Sequence, residues 1–331
     1  MTVMNVRRRS IPVAAITAAT ALGLGTLSAC SSDSDAAGTA GGGKLDVVAS
    51  FYPMQFLAEQ IGGDHVGVRT LTEPGQEPHD LEISAKQTAQ LQESDVVLYL
   101  KNLQPSVDEA VAQSGAETKV DAAALTELEN HGSTGHAHEG EEEHAAEDEH
   151  AGEEGAESAL DPHIWLDPVK YAQVAEGVGK ALQKADPDNA ADYRKNTEAL
   201  TKKLGALDTR FEEGLKNTGS KIFFTNHSAF AYLAERYGLT QESISGLDPE
   251  SEPSAARIRE LQQEARADGV TTVFYETLVS DKTAKTLADD AGLRTDVLDP
   301  IEGITDRSKG DDYFEVMESN LTALEKALGA K

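Results

Sequence analysis

The chain has 331 residues, with 58 acidic against 29 basic side chains, and a formal charge of −29. A chain this acidic is a poor partner for nucleic acid or an anionic membrane surface, and cations are its natural guests. Its single cysteine, Cys30, excludes an internal disulfide and a thiolate metal cluster, while the length allows two domains that each have a core.

Arg7, Arg8 and Arg9 followed by the uncharged, mostly apolar or small stretch Ser10 to Ala29 read as the basic head and apolar region of an export signal. Gly, Thr and Pro within it, and the Ser/Asp/Gly run after it, argue against a spanning helix. Leu27-Ser28-Ala29-Cys30 resembles the bacterial lipoprotein box. Residues 1–29 are therefore expected to be a lipoprotein signal peptide, with Cys30 the lipidated first residue of the mature chain and 30–43 a flexible tether. That implies an exported protein at the cell surface, anchored to the plasma membrane by lipid. Setting the three arginines aside leaves 26 basic against 58 acidic side chains, a net of −32.

From there strands and helices alternate. Leu45 to Ser50 reads as a strand apolar enough for burial on both faces, and Phe51 to Gly62 as a helix closed by glycine. Val66 to Leu71 is a strand that runs into a loop stiffened by Pro74 and Pro78. Ser84 with Gln87 predicts a capping box for a helix to about Glu93. Asp95 to Leu100 follows as strand and Ser106 to Gln113 as helix. Helical spacing covers Asp167 to Ala185 and then Pro187 to Lys216, a run long enough to act as a rigid strut. Beyond it come strands over Lys221–Thr225, Glu242–Ser245, Thr271–Glu276 and Thr295–Leu298. They alternate with helices over His227–Tyr237, Pro253–Ala267, Asp281–Ala291 and Asp311–Leu328. The plan is α/β with parallel βαβ units in both halves. An N-terminal lobe is expected over 44–126 and 159–186, a connecting helix over 187–217, and a C-terminal lobe over 218–331.

Glu127 to Ser158 interrupts the alternation. It holds five of the nine histidines (His131, His136, His138, His144, His150) among twelve carboxylates, with no Lys or Arg. Having little to bury, it is expected to be a disordered insert, and its imidazoles and carboxylates suit auxiliary, multi-site metal capture.

Four histidines remain. His79 follows a strand, His163 stands between the Asp161-Pro162 and Asp167-Pro168 steps, and His227 follows Phe223-Phe224-Thr225-Asn226 at a strand-to-helix turn. Functional groups collect at the carboxyl ends of parallel strands, which favours these three; His65 precedes a strand and is set aside as a surface residue. Three neutral imidazoles suit tetrahedral zinc better than the oxygen-seeking Mg²⁺, Ca²⁺ or Mn²⁺. A fourth position falls to Glu302, to Asp299 as the alternative, or to water, while Asp80 and Asp161 could orient the imidazoles. Trp165 reads as packing that holds the loop.

Four motifs carry a resemblance. They are Pro74-Gly75-Gln76-Glu77-Pro78-His79-Asp80-Leu81-Glu82, Asp161-Pro162-His163-Ile164-Trp165-Leu166-Asp167-Pro168, Asn226-His227-Ser228-Ala229-Phe230 and Leu298-Asp299-Pro300-Ile301-Glu302-Gly303. In this order they resemble the zinc-binding solute-binding proteins of bacterial ABC importers, the ZnuA/TroA-like superfamily. The resemblance implies two lobes joined by one long helix, with the metal in the cleft between them. It also implies His79, His163 and His227 as ligands, and Zn²⁺ over Mn²⁺ because His227 stands where manganese-binding relatives usually carry Glu. The implied function is a non-enzymatic receptor that hands Zn²⁺ to an ABC permease; a monomer is expected. Competing readings are an extracellular zinc buffer or adhesin, with the insert as the working part, and a zinc hydrolase using an open fourth position. Binding through neutral imidazoles would weaken as pH drops through roughly 6.5.

Overall fold

The computed structural model describes residues 43–131 and 160–331. The expected signal peptide, Cys30 and nearly all of its tether lie outside that range, as do His136, His138, His144 and His150. Among the described residues no helix is long and apolar enough to cross a membrane.

Two four-stranded parallel sheets organise the chain. The first is built from β1 (Leu45–Ala49), β2 (Val66–Thr70), β3 (Val96–Tyr99) and β4 (Thr118–Asp121), in the order β2-β1-β3-β4. The second uses β5 (Ile222–Thr225), β6 (Thr240–Ser243), β7 (Thr272–Tyr275) and β8 (Arg294–Val297), in the order β6-β5-β7-β8. Both sheets thus wind in the same sequence. Central strands are apolar at consecutive positions because both faces are covered: Val47 and Val48 of β1 enter different clusters, as do Phe223 and Phe224 of β5.

Helices α1 (Tyr52–Gly62), α2 (Ala85–Glu93) and α3 (Pro105–Gln113) connect the first sheet. The capping box at Ser84 is present, with Ser84 and Gln87 bonding reciprocally. α4 (Pro168–Ala185) starts at Asp167, whose carboxylate accepts from the Val169 and Lys170 N–H groups with Pro168 at the first turn. It ends before Pro187, which disfavours helical backbone at Asp186. α5 (Ala190–Leu215) then runs 26 residues, about 39 Å at 1.5 Å per residue. It packs on α4 and α1 from the first half and on α9 (Tyr313–Leu328) from the second. The remaining helices are α6 (Ala231–Arg236), α7 (Ala255–Ala267) and α8 (Lys282–Ala291). The largest core cluster runs through both halves, from Val47 and Phe51 through Trp165, Tyr171, Leu204 and Phe211 to Phe230 and Tyr313.

Two local expectations differ from the structure, and one strand was not anticipated. The helix expected from His227 begins only at Ala231, because the backbone before it is bonded elsewhere. His227 N–H donates to Glu276 Oε1 and Ser228 N–H to the Gly246 carbonyl, while the His227 carbonyl accepts from Thr225 Oγ1. β6 begins two residues early, at Thr240, just after Gly238 turns through positive φ. β4 escapes sequence reading because Thr118-Lys119-Val120-Asp121 is a short, mostly polar edge strand in which only Val120 is buried.

Two glycines report on helix packing. A Cβ on Gly179 of α4 would lie 2.2 Å from Thr197 Oγ1 of α5, whereas one on exposed Gly205 of α5 would meet nothing within 4 Å. Gly205→Ala should therefore raise stability by about 0.5–1 kcal/mol through helix propensity. Gly179→Ala, which wedges the α4–α5 contact, should lower it by about 1–3 kcal/mol. Urea-unfolding midpoints of the two variants, moving in opposite directions, check this.

Candidate metal centre

Topology delivers every element of the site. His79 lies in the loop after β2, His227 directly after β5, Glu276 after β7 and Glu302 after β8, all at carboxyl edges of parallel strands. His163 opens the short 3-10 turn Ile164–Leu166 that leads into α4. These segments bring His79, His163, His227 and Glu302 together, with one candidate ligand atom from each within 4.8 Å of the others.

The spacing is tight. Glu302 Oε1 stands 3.3 Å from His79 Nε2, 3.4 Å from His163 Nε2 and 3.6 Å from His227 Nε2, and the last two nitrogens face each other at 3.3 Å. His163, His227 and Glu302 are sealed from solvent, and only His79, 12% exposed, reaches the surface. The second carboxylate oxygen of Glu302 is buried and makes no hydrogen bond to another protein group.

Two carboxylates orient the buried rings. Asp161 Oδ1 accepts from His163 Nδ1 at 2.8 Å, and Glu276 Oε1 accepts from His227 Nδ1 at 2.7 Å. Each bond fixes a proton on Nδ1 and turns Nε2 toward the centre, the arrangement used by metal-bound histidines. Asp161 thus has the expected orienting role. Asp80 does not share it: it is exposed, and its backbone N–H donates to the Glu77 carboxylate. Glu276 was missed by sequence reading; its place at the end of a strand was the only signal, and acids are abundant in this chain.

Between the two acids near β8, the structure separates the roles. Asp299 turns away from the histidines: Oδ2 accepts from Thr277 Oγ1 at 3.0 Å and Oδ1 from the Ile301 N–H at 2.8 Å. Asn320 brackets its backbone, accepting from the Asp299 N–H and donating to the Asp299 carbonyl. Ile301, buried and β-branched, sits at φ 59°, a strained conformation for such a residue. Asp299 therefore holds the turn that aims Glu302 inward. Trp165 locks the same turn, donating from Nε1 to the Pro300 carbonyl at 2.7 Å while Tyr313 Oη donates to the Trp165 carbonyl.

Residues 127–131, expected as part of a disordered insert, are fastened where the structure describes them. Tyr232 Oη accepts from the Glu129 N–H at 2.7 Å, and Asp161 N–H donates to the Glu129 carbonyl at 2.9 Å. His131 bonds Asp161 and Glu235. His65 lies apart at the surface against Asp192.

The charges are mutually supporting. Burial opposes the imidazolium of His163 and of His227, yet Asp161 beside the first and Glu276 beside the second, with Glu302 common to both, leave both rings raised above the ordinary 6.5. Burial likewise opposes ionised Glu302, but hydrogen bonds from His163, His227 and His79 hold it well below the usual carboxylate range. The neighbouring Glu77 carboxyl is pushed up to about 7, first by burial and then by Glu302.

Residues 47–327 match the family described as zinc-uptake complex component A, periplasmic. The chain is 38% identical over 290 residues to the zinc-binding lipoprotein AdcA of Streptococcus pneumoniae, covering 86% of this chain and 56% of AdcA. It thus spans about half the length of that relative. It is also 38% identical over 296 residues to the high-affinity zinc uptake system protein ZnuA of Bacillus subtilis, covering 88% of this chain and 89% of the relative. Among solved structures, the Zn(II)-bound ZnuA-like domain of S. pneumoniae AdcA superposes with a TM-score of 0.69 at 34% identity, over 86% of this chain and 99% of that one. The laminin-binding protein of Streptococcus agalactiae, described as a bifunctional adhesin and metal transporter, superposes with a TM-score of 0.73 at 28% identity, over 86% of this chain and all of that one.

Because Asp161 and Glu276 only accept, both Nδ1 atoms carry protons, and in the metal-free chain the 3.3 Å contact between the two Nε2 atoms is satisfied by a proton on one of them. Nitrogen-15 spectra of the metal-free chain at neutral pH should show Nδ1–H on both rings and one of them as imidazolium. A neutral Nε2–H tautomer at either ring would overturn this assignment.

Proposed function

The chain belongs to the zinc-uptake complex component A family, and on that premise we propose that it is an extracytoplasmic receptor that binds Zn²⁺ tightly and delivers it to an ABC-type permease. The observation that carries the reading is the ligand spacing. Four ligands at zinc's bond lengths of 2.0–2.1 Å and tetrahedral angles stand about 3.3–3.4 Å apart. Four of the six pairwise distances here are 3.3, 3.3, 3.4 and 3.6 Å, and all six lie within 4.8 Å, which leaves a centre of about that size between three imidazoles and one carboxylate. His79, His163, His227 and Glu302 are the proposed ligands, with Asp161 and Glu276 orienting the rings from behind.

A fourth position closed by Glu302 favours holding the ion over activating water, so the site serves binding and not hydrolysis. Zn²⁺ is cargo: it enters past His79, the exposed ligand, and leaves when docking on the permease disturbs the contacts between the two halves. Export, lipidation at Cys30 and the permease partner rest on the N-terminal sequence and on the family. The adhesin description belongs to the S. agalactiae relative.

His163→Ala should abolish tight 1:1 zinc binding while leaving the circular dichroism of the fold intact. Glu276→Gln, which keeps the shape but loses the orienting charge, should weaken binding by about 10–100-fold. Calorimetric titration reads both, and wild-type affinity in His163→Ala would sink the assignment.

The pH dependence has a definite sign. Raised imidazole pKa values mean that protons occupy the metal-free site at neutral pH, and Zn²⁺ must expel them. Affinity should therefore rise with pH, and on acidification it should begin to fall while the pH is still above 6.5, earlier than unshifted histidines would allow. Chelator competition across about pH 5.5–8.5 measures the slope, and titrations in buffers of differing ionisation enthalpy count the protons released.

A further inference from the structure

His227 is held from both strands that flank its own. β5 lies between β7 and β6, and Glu276 after β7 takes the His227 N–H and Nδ1–H. The carbonyl of the same residue is held from β6. Gln241 Nε2 donates to it at 2.9 Å and to Thr225 Oγ1 at 2.6 Å, while Thr225 Oγ1 donates to the same carbonyl at 2.8 Å. Gln241 Oε1 accepts from the Phe230 N–H at 3.0 Å. The amide thus spans the whole turn between β5 and α6.

Only one orientation of that amide satisfies its neighbours. The Phe230 N–H can only donate and the His227 carbonyl can only accept, so the oxygen meets the first and the nitrogen the second. A glutamate has the same length and would keep the acceptor for Phe230. Once ionised, however, it would set a carboxylate with no proton to give against the His227 carbonyl and Thr225 Oγ1. A methionine would offer neither donor nor strong acceptor. The turn depends on such partners because residues 226–230 are buried and precede the helix, so their backbone groups lack a ladder of their own. Two further bonds come from the chain beyond β6: Ser245 N–H donates to the Asn226 carbonyl, and the Gly246 carbonyl accepts from the Ser228 N–H, both at 2.8 Å.

We infer that Gln241 is a positioning residue for His227, acting through the backbone carbonyl and not through the ring. The two peptide planes flanking a Cα fix the direction of its Cβ. With the N–H pinned by Glu276 and the carbonyl by Gln241 and Thr225, the Cβ of His227 is aimed, and the Nδ1 bond then sets the ring so that Nε2 faces the centre. The clamp is two-sided: β7 contributes a carboxylate to the donors of His227 and β6 an amide to its acceptor. This inference rests on His227 being a zinc ligand, as proposed above.

Chelator competition with Zn²⁺ and visible spectra of the Co²⁺-loaded chain test it in Gln241→Glu and Gln241→Met. β6 is an edge strand and Gln241 is half-buried, so both variants should keep the circular dichroism of the fold. Zinc affinity should fall about tenfold in each, and the Co²⁺ d–d bands, which report ligand geometry, should shift. Thr225→Val removes the other donor to the same carbonyl. Combined with Gln241→Met it should cost little more than the larger single effect, because both act on one group. Wild-type affinity in both Gln241 variants would overturn the inference, as would weakened binding with unmoved Co²⁺ bands, which marks lost stability alone. His163→Ala separates the two readings. Lost tight binding there beside wild-type affinity in the Gln241 variants rejects the role of Gln241 only, whereas retained affinity in His163→Ala rejects the centre itself.

Discussion

One buried carboxylate organises this molecule. Glu302 is 1% exposed, and its Oε1 lies within 3.6 Å of three imidazole nitrogens that arrive from separate parts of the chain. A lone ionised carboxylate could not be kept there, because burial alone would neutralise it. The histidines keep it charged, and it raises two of them in return. The cluster is a set of charges that only make sense together, and Glu302 Oε2 lies buried among them without a protein hydrogen-bond partner.

Much of the surrounding fold holds those groups still. Asp161 and Glu276 stand behind two of the rings, Asp299 holds the strained Ile301 turn beneath the carboxylate, and Trp165 ties that turn to the start of α4. Tyr313 and Tyr232 extend the same bracing, each using a hydroxyl to hold the backbone of the Asp161–Pro168 stretch. Preorganisation of this kind suits the proposed binding role, since side chains already held in place lose little freedom on binding. The long α5 helix contributes by packing on α1 and α4 of the first half and on α9 of the second.

The acidity of the chain acquires structure at one edge of the site. At residues 127–131 it is anchored through Glu129 and His131 to the same Asp161 that supports His163. A surface imidazole and a buried imidazole therefore share one carboxylate.

Sequence alone determined the alternation of strands and helices, the export-like N-terminus and the three histidines. Apolar runs, capping boxes and proline steps act over a few residues, and rare histidines at strand ends stand out against any background. It left Glu302 and Asp299 unresolved, because two acids three residues apart in one loop look alike until the chain turns at Ile301 and aims only one inward. It passed over Glu276 for a related reason: its value comes from β7 lying beside β5, a pairing that no local pattern encodes. The same holds for His131, which reads as one more histidine in an acidic run until Tyr232 and Glu235 of α6 fold against it. Local chemistry named the candidates, and long-range packing chose among them, since hydrogen bonds between residues separated by tens or hundreds of positions exist only once the sheets are assembled.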